Sequence, residues 1–157
     1  MRLSIRKGFS FGLTSGIITT LGLIVGLHSS THSQLVVIGG ILVIAIADAL
    51  SDALGIHISE EAENKHTEKE IWESTVTTFL SKFLFAMTFV VPVLFLPLST
   101  AIVVSVIWGL SMISVFSFHM AMQQGTRPHR VVLEHLTITI IVIITTQCMG
   151  NWVSAFV

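Results

Sequence analysis

Charged residues are scarce in this chain of 157 residues, where Asp, Glu, Lys and Arg together make up 11% of the sequence. A soluble domain carries about 25% charged residues, whereas here 52% of the residues are hydrophobic and the mean hydropathy is +0.87. This composition predicts an integral membrane protein without a separate soluble domain. The formal net charge of −1 gives no basis for a nucleic-acid partner.

Cysteine is almost missing as well. The single residue Cys148 excludes an internal disulfide and any metal site built from several thiolates. The sequence also has no pattern of a nucleophile beside a base and no glycine loop of the phosphate-binding kind. We therefore expect no enzymatic activity and no permanently bound cofactor.

Five apolar segments are each long enough to cross a bilayer, which takes about 20 residues in a helix. They predict an all-α membrane bundle of five transmembrane helices, forming one domain over residues 1–157, in which helices 2 and 3 extend into the cytosol at an acidic segment, 59–74. Lysine and arginine concentrate in alternate loops, which predicts that the N-terminus is inside and the C-terminus outside. The predicted helices span about 8–27, 35–58, 75–98, 100–122 and 131–153.

Two aspartates four residues apart, Asp48 and Asp52, interrupt the second apolar segment. A carboxylate at the bilayer centre costs roughly 2.5–3.5 kcal/mol, so such groups usually line a pathway or hold a partner. On a helix the two share one face. One interpretation is a metal ligand combined with a group that exchanges a proton for a cation. The other is a structural pair neutralised by Lys82, which enters the membrane at about the depth of Asp52.

The acidic segment 59–74 combines six glutamates with imidazole. If the segment is helical, Glu63, His66, Glu70 and Glu73 share one face. Glu63 and His66 also have the i, i+3 spacing found in carboxylate-bridged metal sites of helical bundles. Oxygen and imidazole ligands suit Fe(II), Mn(II) or Zn(II) better than Cu(I). One interpretation is a metal-collecting surface and the other is a solvated charged helix. The residues predicted to collect metal are Glu60, Glu63, His66 and Glu70.

Two further features allow two interpretations each. Glu134, which precedes His135 early in the fifth segment, is either part of a proton relay or a packing residue. Gly12 and Gly16, at four-residue spacing in the first segment, let helix backbones approach closely in lipid. They predict either a homodimer contact through helix 1 or ordinary packing within the chain.

Two stretches of the sequence are similar to a known family. Residues 8–27, GFSFGLTSGIITTLGLIVGL, and residues 47–63, ADALSDALGIHISEEAE, resemble the first and second helices of the vacuolar iron transporter family. The resemblance implies a dimer of five-helix chains, with the pathway between the two copies near helix 1. It implies transport of Fe(II), often Mn(II), out of the cytosol in exchange for protons. It places the protein in the cell membrane of a prokaryote, or in the vacuolar membrane if the source is eukaryotic.

Carried over by position, the resemblance adds one residue to the site and shows two departures. Ser15 stands where the family usually has its intramembrane aspartate, and Asp52 stands where it usually has methionine. Glu63 matches the glutamate that opens the family's cytosolic metal-collecting region. Ser15 would then supply an oxygen beside Asp52 and Asp48. Loss of a soft thioether should weaken the preference for softer metals and leave room for Mn(II).

The leading prediction is therefore a proton-coupled divalent metal transporter that exports Fe2+ or Mn2+ from the cytosol. The metal ligands would be Asp48, Asp52 and Ser15, and the proton-coupling groups Asp52, Asp48 and Glu134. The departures at Ser15 and Asp52 keep two alternatives open. One is a non-transporting membrane scaffold or metal sensor of the same fold, and the other is a transporter of another small cation.

Overall fold

The computed structural model describes residues 2–156, and these residues form helices joined by short turns. Five stretches of helix are long and apolar enough to cross a membrane, which confirms the predicted all-α fold with five spanning helices. The orientation in the membrane stays a prediction. The helices are α1 (Leu3–Thr31), α2 (Gln34–Glu63), α3 (Glu68–Thr88), α4 (Val90–Phe95), α5 (Leu98–Gln124) and α6 (Pro128–Ser154).

The third span is interrupted near its end, where the sequence predicted one continuous helix. α3 and α4 together make the candidate span Glu68–Phe95, with Phe89 between them. Pro92 explains the interruption, because its nitrogen carries no hydrogen and its ring clashes with the carbonyl of the residue four positions earlier. That residue is Thr88, the last of α3.

The acidic segment is not one continuous helix, although its glutamates and His66 could share one face only on such a helix. α2 ends at Glu63, and the next residue, Asn64, has a φ of 51°. α3 begins after Thr67, whose backbone N–H donates to Glu70 Oε2 at 2.9 Å while the Thr67 side chain accepts from the backbone N–H of Glu70. This capping box fixes a new helix start. The prediction that Glu63, His66, Glu70 and Glu73 share one helical face is therefore wrong.

The chain divides into two compact units, and the first contains the N-terminal residues through Thr20 together with Gly39–Val91. Its core is built from the apolar sides of α1, α2 and α3, with Ile17, Ile41 and Phe89 fully buried. Small residues such as Ala45 and Ala49 let the helices approach one another closely. Within this core the first unit also buries polar side chains, and these form the candidate site.

The second unit contains Leu21–Ile38 and the residues from Pro92 to the C-terminal end. Leu21, Ile24 and Ile113 are among its fully buried side chains. α5 ends at Gly125, whose φ of 66° is the left-handed conformation that terminates helices at glycine. Pro128 then occupies the first turn of α6, where its missing N–H costs nothing. This turn returns the chain so that α5 and α6 pack as a hairpin.

A candidate cation site in the first unit

Lys82 of α3 is the centre of the buried polar cluster, and 1% of its side chain is exposed. Its Nζ atom lies 2.6 Å from Asp48 Oδ2 and forms an ion pair with Asp52 Oδ2. It also donates a hydrogen bond to Ser15 Oγ at 2.9 Å. A buried ammonium is stable only when anions or acceptors replace the water it has lost. Here α1 and α2 supply all three partners.

Ser15 connects the two helices that hold the oxygens. Its hydroxyl donates to Asp52 Oδ2 at 2.6 Å while its oxygen accepts from Lys82. Asp48 and Asp52 lie one turn apart on α2, so both carboxylates face the same lysine. The contact between Lys82 and the aspartates, which the sequence suggested as the structural alternative, is present.

The cluster carries a formal charge of −1 when the two carboxylates are ionised and the lysine is protonated. The carboxylates are more accessible than the lysine, since 29% of the Asp48 side chain and 22% of the Asp52 side chain are exposed, against 1% for Lys82. Hard divalent cations bind carboxylate, hydroxyl and carbonyl oxygens. The oxygens of this cluster are therefore of the kind that binds such cations, and in the structure the cation they contact is the ammonium of Lys82.

Glycines on α1 let this helix lie directly against α3. A Cβ atom built on Gly16 would lie 2.9 Å from the carbonyl oxygen of Lys82, and one on Gly12 would lie 2.5 Å from that of Thr78. Both distances are too short for a side chain, so glycine is required. Gly12 and Gly16 are thus used for packing within the chain. The homodimer stays a prediction, and a contact through helix 1 would need another of its faces.

Glu60, a predicted metal collector, is enclosed instead of facing solvent. Glu60 is 1% exposed, and its carboxylate accepts a hydrogen bond from the hydroxyl of Ser74. The same carboxylate lies 3.1 Å from Lys7 Nζ. These contacts join α2 to α3 and α1. Lys7 and Ser74 are distant from Glu60 in the sequence, so no local sequence pattern indicates these contacts.

The other predicted collectors separate into two local contacts. Glu63 Oε2 and His66 Nε2 lie 3.4 Å apart, in a pair that is partly open to solvent. Glu70 belongs to the capping box of α3. Glu73, which was not one of the predicted collectors, accepts a hydrogen bond from Ser4 at 2.8 Å and pairs with Arg2. Among residues 2–156, no group of three or more His, Cys, Asp or Glu side chains comes together in a way that could hold a metal ion.

The predicted relay residues of α6 differ in their surroundings. Glu134 is exposed. His135 is half-buried, and its Nδ1 atom lies 2.7 Å from Ser117 Oγ of α5. The histidine therefore packs within the α5–α6 hairpin, while the role of Glu134 in proton coupling stays a prediction.

Comparison with known proteins bears on the segment that contains most of this site. Residues 7–73 match the model of the VIT family, and this range includes Ser15, Asp48, Asp52 and most of the acidic segment. No curated protein matches the chain. The matching family is one of membrane transporters, not of enzymes, and with the five apolar helices it indicates an integral membrane protein. This match supports the resemblance to the vacuolar iron transporter family that helices 1 and 2 show in the sequence.

Proposed function

We propose that this protein exports a divalent metal, Fe2+ or Mn2+, from the cytosol in exchange for protons. One observation carries the proposal. Ser15, Asp48 and Asp52 converge on a single buried ammonium, that of Lys82, inside helices apolar enough to cross a membrane. Because residues 7–73 match a transporter family, a charged cluster inside such helices is the natural place for a cation to pass.

The donor set supports a hard or borderline metal. Asp48 and Asp52 contribute carboxylates and Ser15 contributes a hydroxyl, and none of these three residues carries sulfur. Mn2+ binds oxygen ligands readily, and Fe2+ accepts oxygen together with imidazole. A metal ion in contact with both carboxylates would take over the ionic contacts that Lys82 makes.

Charge balance provides a reason for coupling to protons. The cluster has a formal charge of −1, so an added divalent ion would leave an excess positive charge within a medium of low polarity. Such an excess is unfavourable, and metal entry therefore favours the departure of positive charge from the cluster. In the exchange we propose, one of the two carboxylates, Asp52 or Asp48, binds a proton while the metal is absent and releases it when the metal enters. Glu134 is a further coupling group on α6.

The acidic segment has a supporting role in the proposal. Glu63 and His66 are partly exposed, and the neighbouring Glu61 is exposed. A surface of one charge sign raises the local concentration of the oppositely charged ion. Because Glu60 is paired with Lys7 and Glu70 caps α3, the exposed carboxylates of Glu61 and Glu63 would supply most of this potential. We further propose the homodimer and the prokaryotic cell membrane as the setting for transport.

The experiment compares two conservative variants in proteoliposomes. Asp52→Asn removes a charge from the proposed site, and Glu61→Gln removes one from the exposed acidic surface. The proposal expects Mn2+ and Fe2+ flux to fall at least tenfold in Asp52→Asn and by less than about twofold in Glu61→Gln. Equal flux in Asp52→Asn and the unchanged protein would contradict it.

The ion pairs of Lys82 also favour a second candidate function, a non-transporting scaffold or metal sensor. In that case the lysine is a permanent counter-ion that stabilises the first unit. The unchanged protein would then carry no metal across the bilayer although it is folded. Flux of either metal above that of empty liposomes would exclude this candidate.

A further inference from the structure

We infer that His28 and His32 form a second metal site, a clamp of two imidazoles at the C-terminal end of α1, for a borderline divalent transition metal ion. This inference does not rest on the proposed transport function. The two ring centres are 5.3 Å apart, and the ring planes are tilted by 58° from one another. Both residues belong to the second unit, and the residues from Leu21 to Ile38 include no charged side chain.

The ring separation fits a shared metal ion. With a metal–nitrogen bond of about 2.0–2.1 Å, each ring centre lies about 3.2 Å from the metal, and two rings at a tetrahedral angle lie about 5.2 Å apart. The observed 5.3 Å agrees with that separation. Bound water would complete the coordination.

The backbone holds both histidines in place at the helix end. His32 has a φ of 51°, the left-handed conformation, and its N–H donates to the carbonyl oxygen of His28 at 3.1 Å. This bond closes the last turn of α1 and keeps His32 beside His28. Carbonyl groups at a helix C-terminus also give it a partial negative charge, which favours a cation.

The backbone before His28 is held by tight packing against α6. A Cβ atom on Gly150 would lie 2.5 Å from the carbonyl oxygen of Gly26 and 2.7 Å from Ser29 Cβ. Gly150 therefore lies close to α1 on either side of His28. This packing fixes the backbone of the turn that carries His28.

One atom of the pair lacks a partner. His28 Nδ1 is buried and makes no hydrogen bond to any residue within 2–156. A buried polar atom without a partner is unfavourable. A metal ion shared with His32 would give the pair the ligand that its geometry fits. Imidazole donors select Zn2+, Ni2+, Co2+ or Cu2+ over Mg2+ and Ca2+.

The test is equilibrium binding of Ni2+ alone to the purified full-length protein in detergent. The variants are His28→Gln and His32→Asn, and asparagine is chosen because it tolerates the left-handed conformation of residue 32. The control is His129→Gln, which removes an exposed imidazole from the start of α6. We expect Ni2+ affinity to fall roughly tenfold or more in each clamp variant and to be unchanged in the control.

A spectroscopic measurement gives an independent result if one clamp variant fails to fold. Cu2+ bound to the unchanged protein should show electron paramagnetic resonance splitting from two nitrogens, and His32→Asn should reduce this to one or none. Unchanged Ni2+ affinity in His32→Asn would overturn the inference, as would an equal loss in His129→Gln. Binding that persists in Asp52→Asn, even if the protein carries no metal across liposomes, would separate this site from the transport proposal.

Discussion

Lys82 Nζ lies 2.6 Å from Asp48 Oδ2 although 1% of the lysine side chain is exposed. The lysine is thus more deeply buried than the carboxylate that neutralises it. Lys82 of α3 contacts the aspartates of α2 from the buried interior of the first unit. The carboxylates are more exposed to solvent than the ammonium. An ion that reaches the cluster would meet the carboxylates before the ammonium.

Removing this ammonium should destabilise the first unit. Lys82→Met leaves two carboxylates side by side without their counter-ion, and we expect the free energy of unfolding to fall by about 3 kcal/mol. The measurement is denaturant unfolding in mixed micelles. Leu80→Met, on the exposed side of the same helix, is the control and should change little.

The double variant Lys82→Met/Asp52→Asn distinguishes the ion pair from loss of the lysine's alkyl packing. If the pair is responsible, Asp52→Asn should cost less in the Lys82→Met background than in the unchanged protein, with a coupling energy of about 1–3 kcal/mol. Additive effects of the two substitutions would show that the pair contributes nothing.

The glycines of α1 should differ sharply in their tolerance of alanine. Gly12→Ala places a methyl group against the carbonyl oxygen of Thr78, at 2.5 Å before any adjustment, and should cost about 2 kcal/mol. Gly39, in α2, has no atom within 4 Å of its Cβ position among the described residues. Gly39→Ala should therefore be neutral or stabilise the helix by up to about 1 kcal/mol. Equal thermal stability of the two variants would contradict the packing of α1 on α3.

Adjacent glutamates at the end of α2 offer a similar comparison. Glu60→Ala removes the acceptor of the Ser74 hydroxyl and the partner of Lys7, and should cost about 2 kcal/mol. Glu61→Ala changes an exposed side chain and should stay within about 0.5 kcal/mol. Chemical unfolding of both variants in the same micelles checks this difference. A Glu60→Ala protein as stable as Glu61→Ala would mean that Glu60 is free of these contacts.

The sequence predicted the helices better than the contacts between them. Long apolar segments identify spanning helices because a bilayer admits few other structures, and all five are present. The break at Thr88 was missed, although Pro92 lies within the segment, since proline is tolerated in many membrane helices. The new helix start after Glu63 depends on Thr67 and Glu70, whose spacing is that of a capping box.

The contacts of the candidate site follow one of the two interpretations of the sequence. Lys82 pairs with Asp48 and Asp52, as the structural alternative required, while the roles of Asp48, Asp52 and Ser15 as metal ligands and of the aspartates as coupling groups stay predictions. Carboxylates in an apolar segment stand out in any sequence, whereas partners on other helices depend on rotation and depth that the sequence does not specify. For that reason Glu60 was placed on an open surface instead of against Lys7.

Simultaneous measurement of metal and proton movement tests the central claim most directly. Proteoliposomes would contain a pH-sensitive dye and a metal-sensitive dye, with Fe2+ or Mn2+ added outside, for the unchanged protein and for Asp52→Asn. The account predicts metal entry accompanied by proton exit in the unchanged protein and neither in the variant. Metal entry without any pH change, or equal fluxes in both proteins, would contradict a proton-coupled site at Asp52.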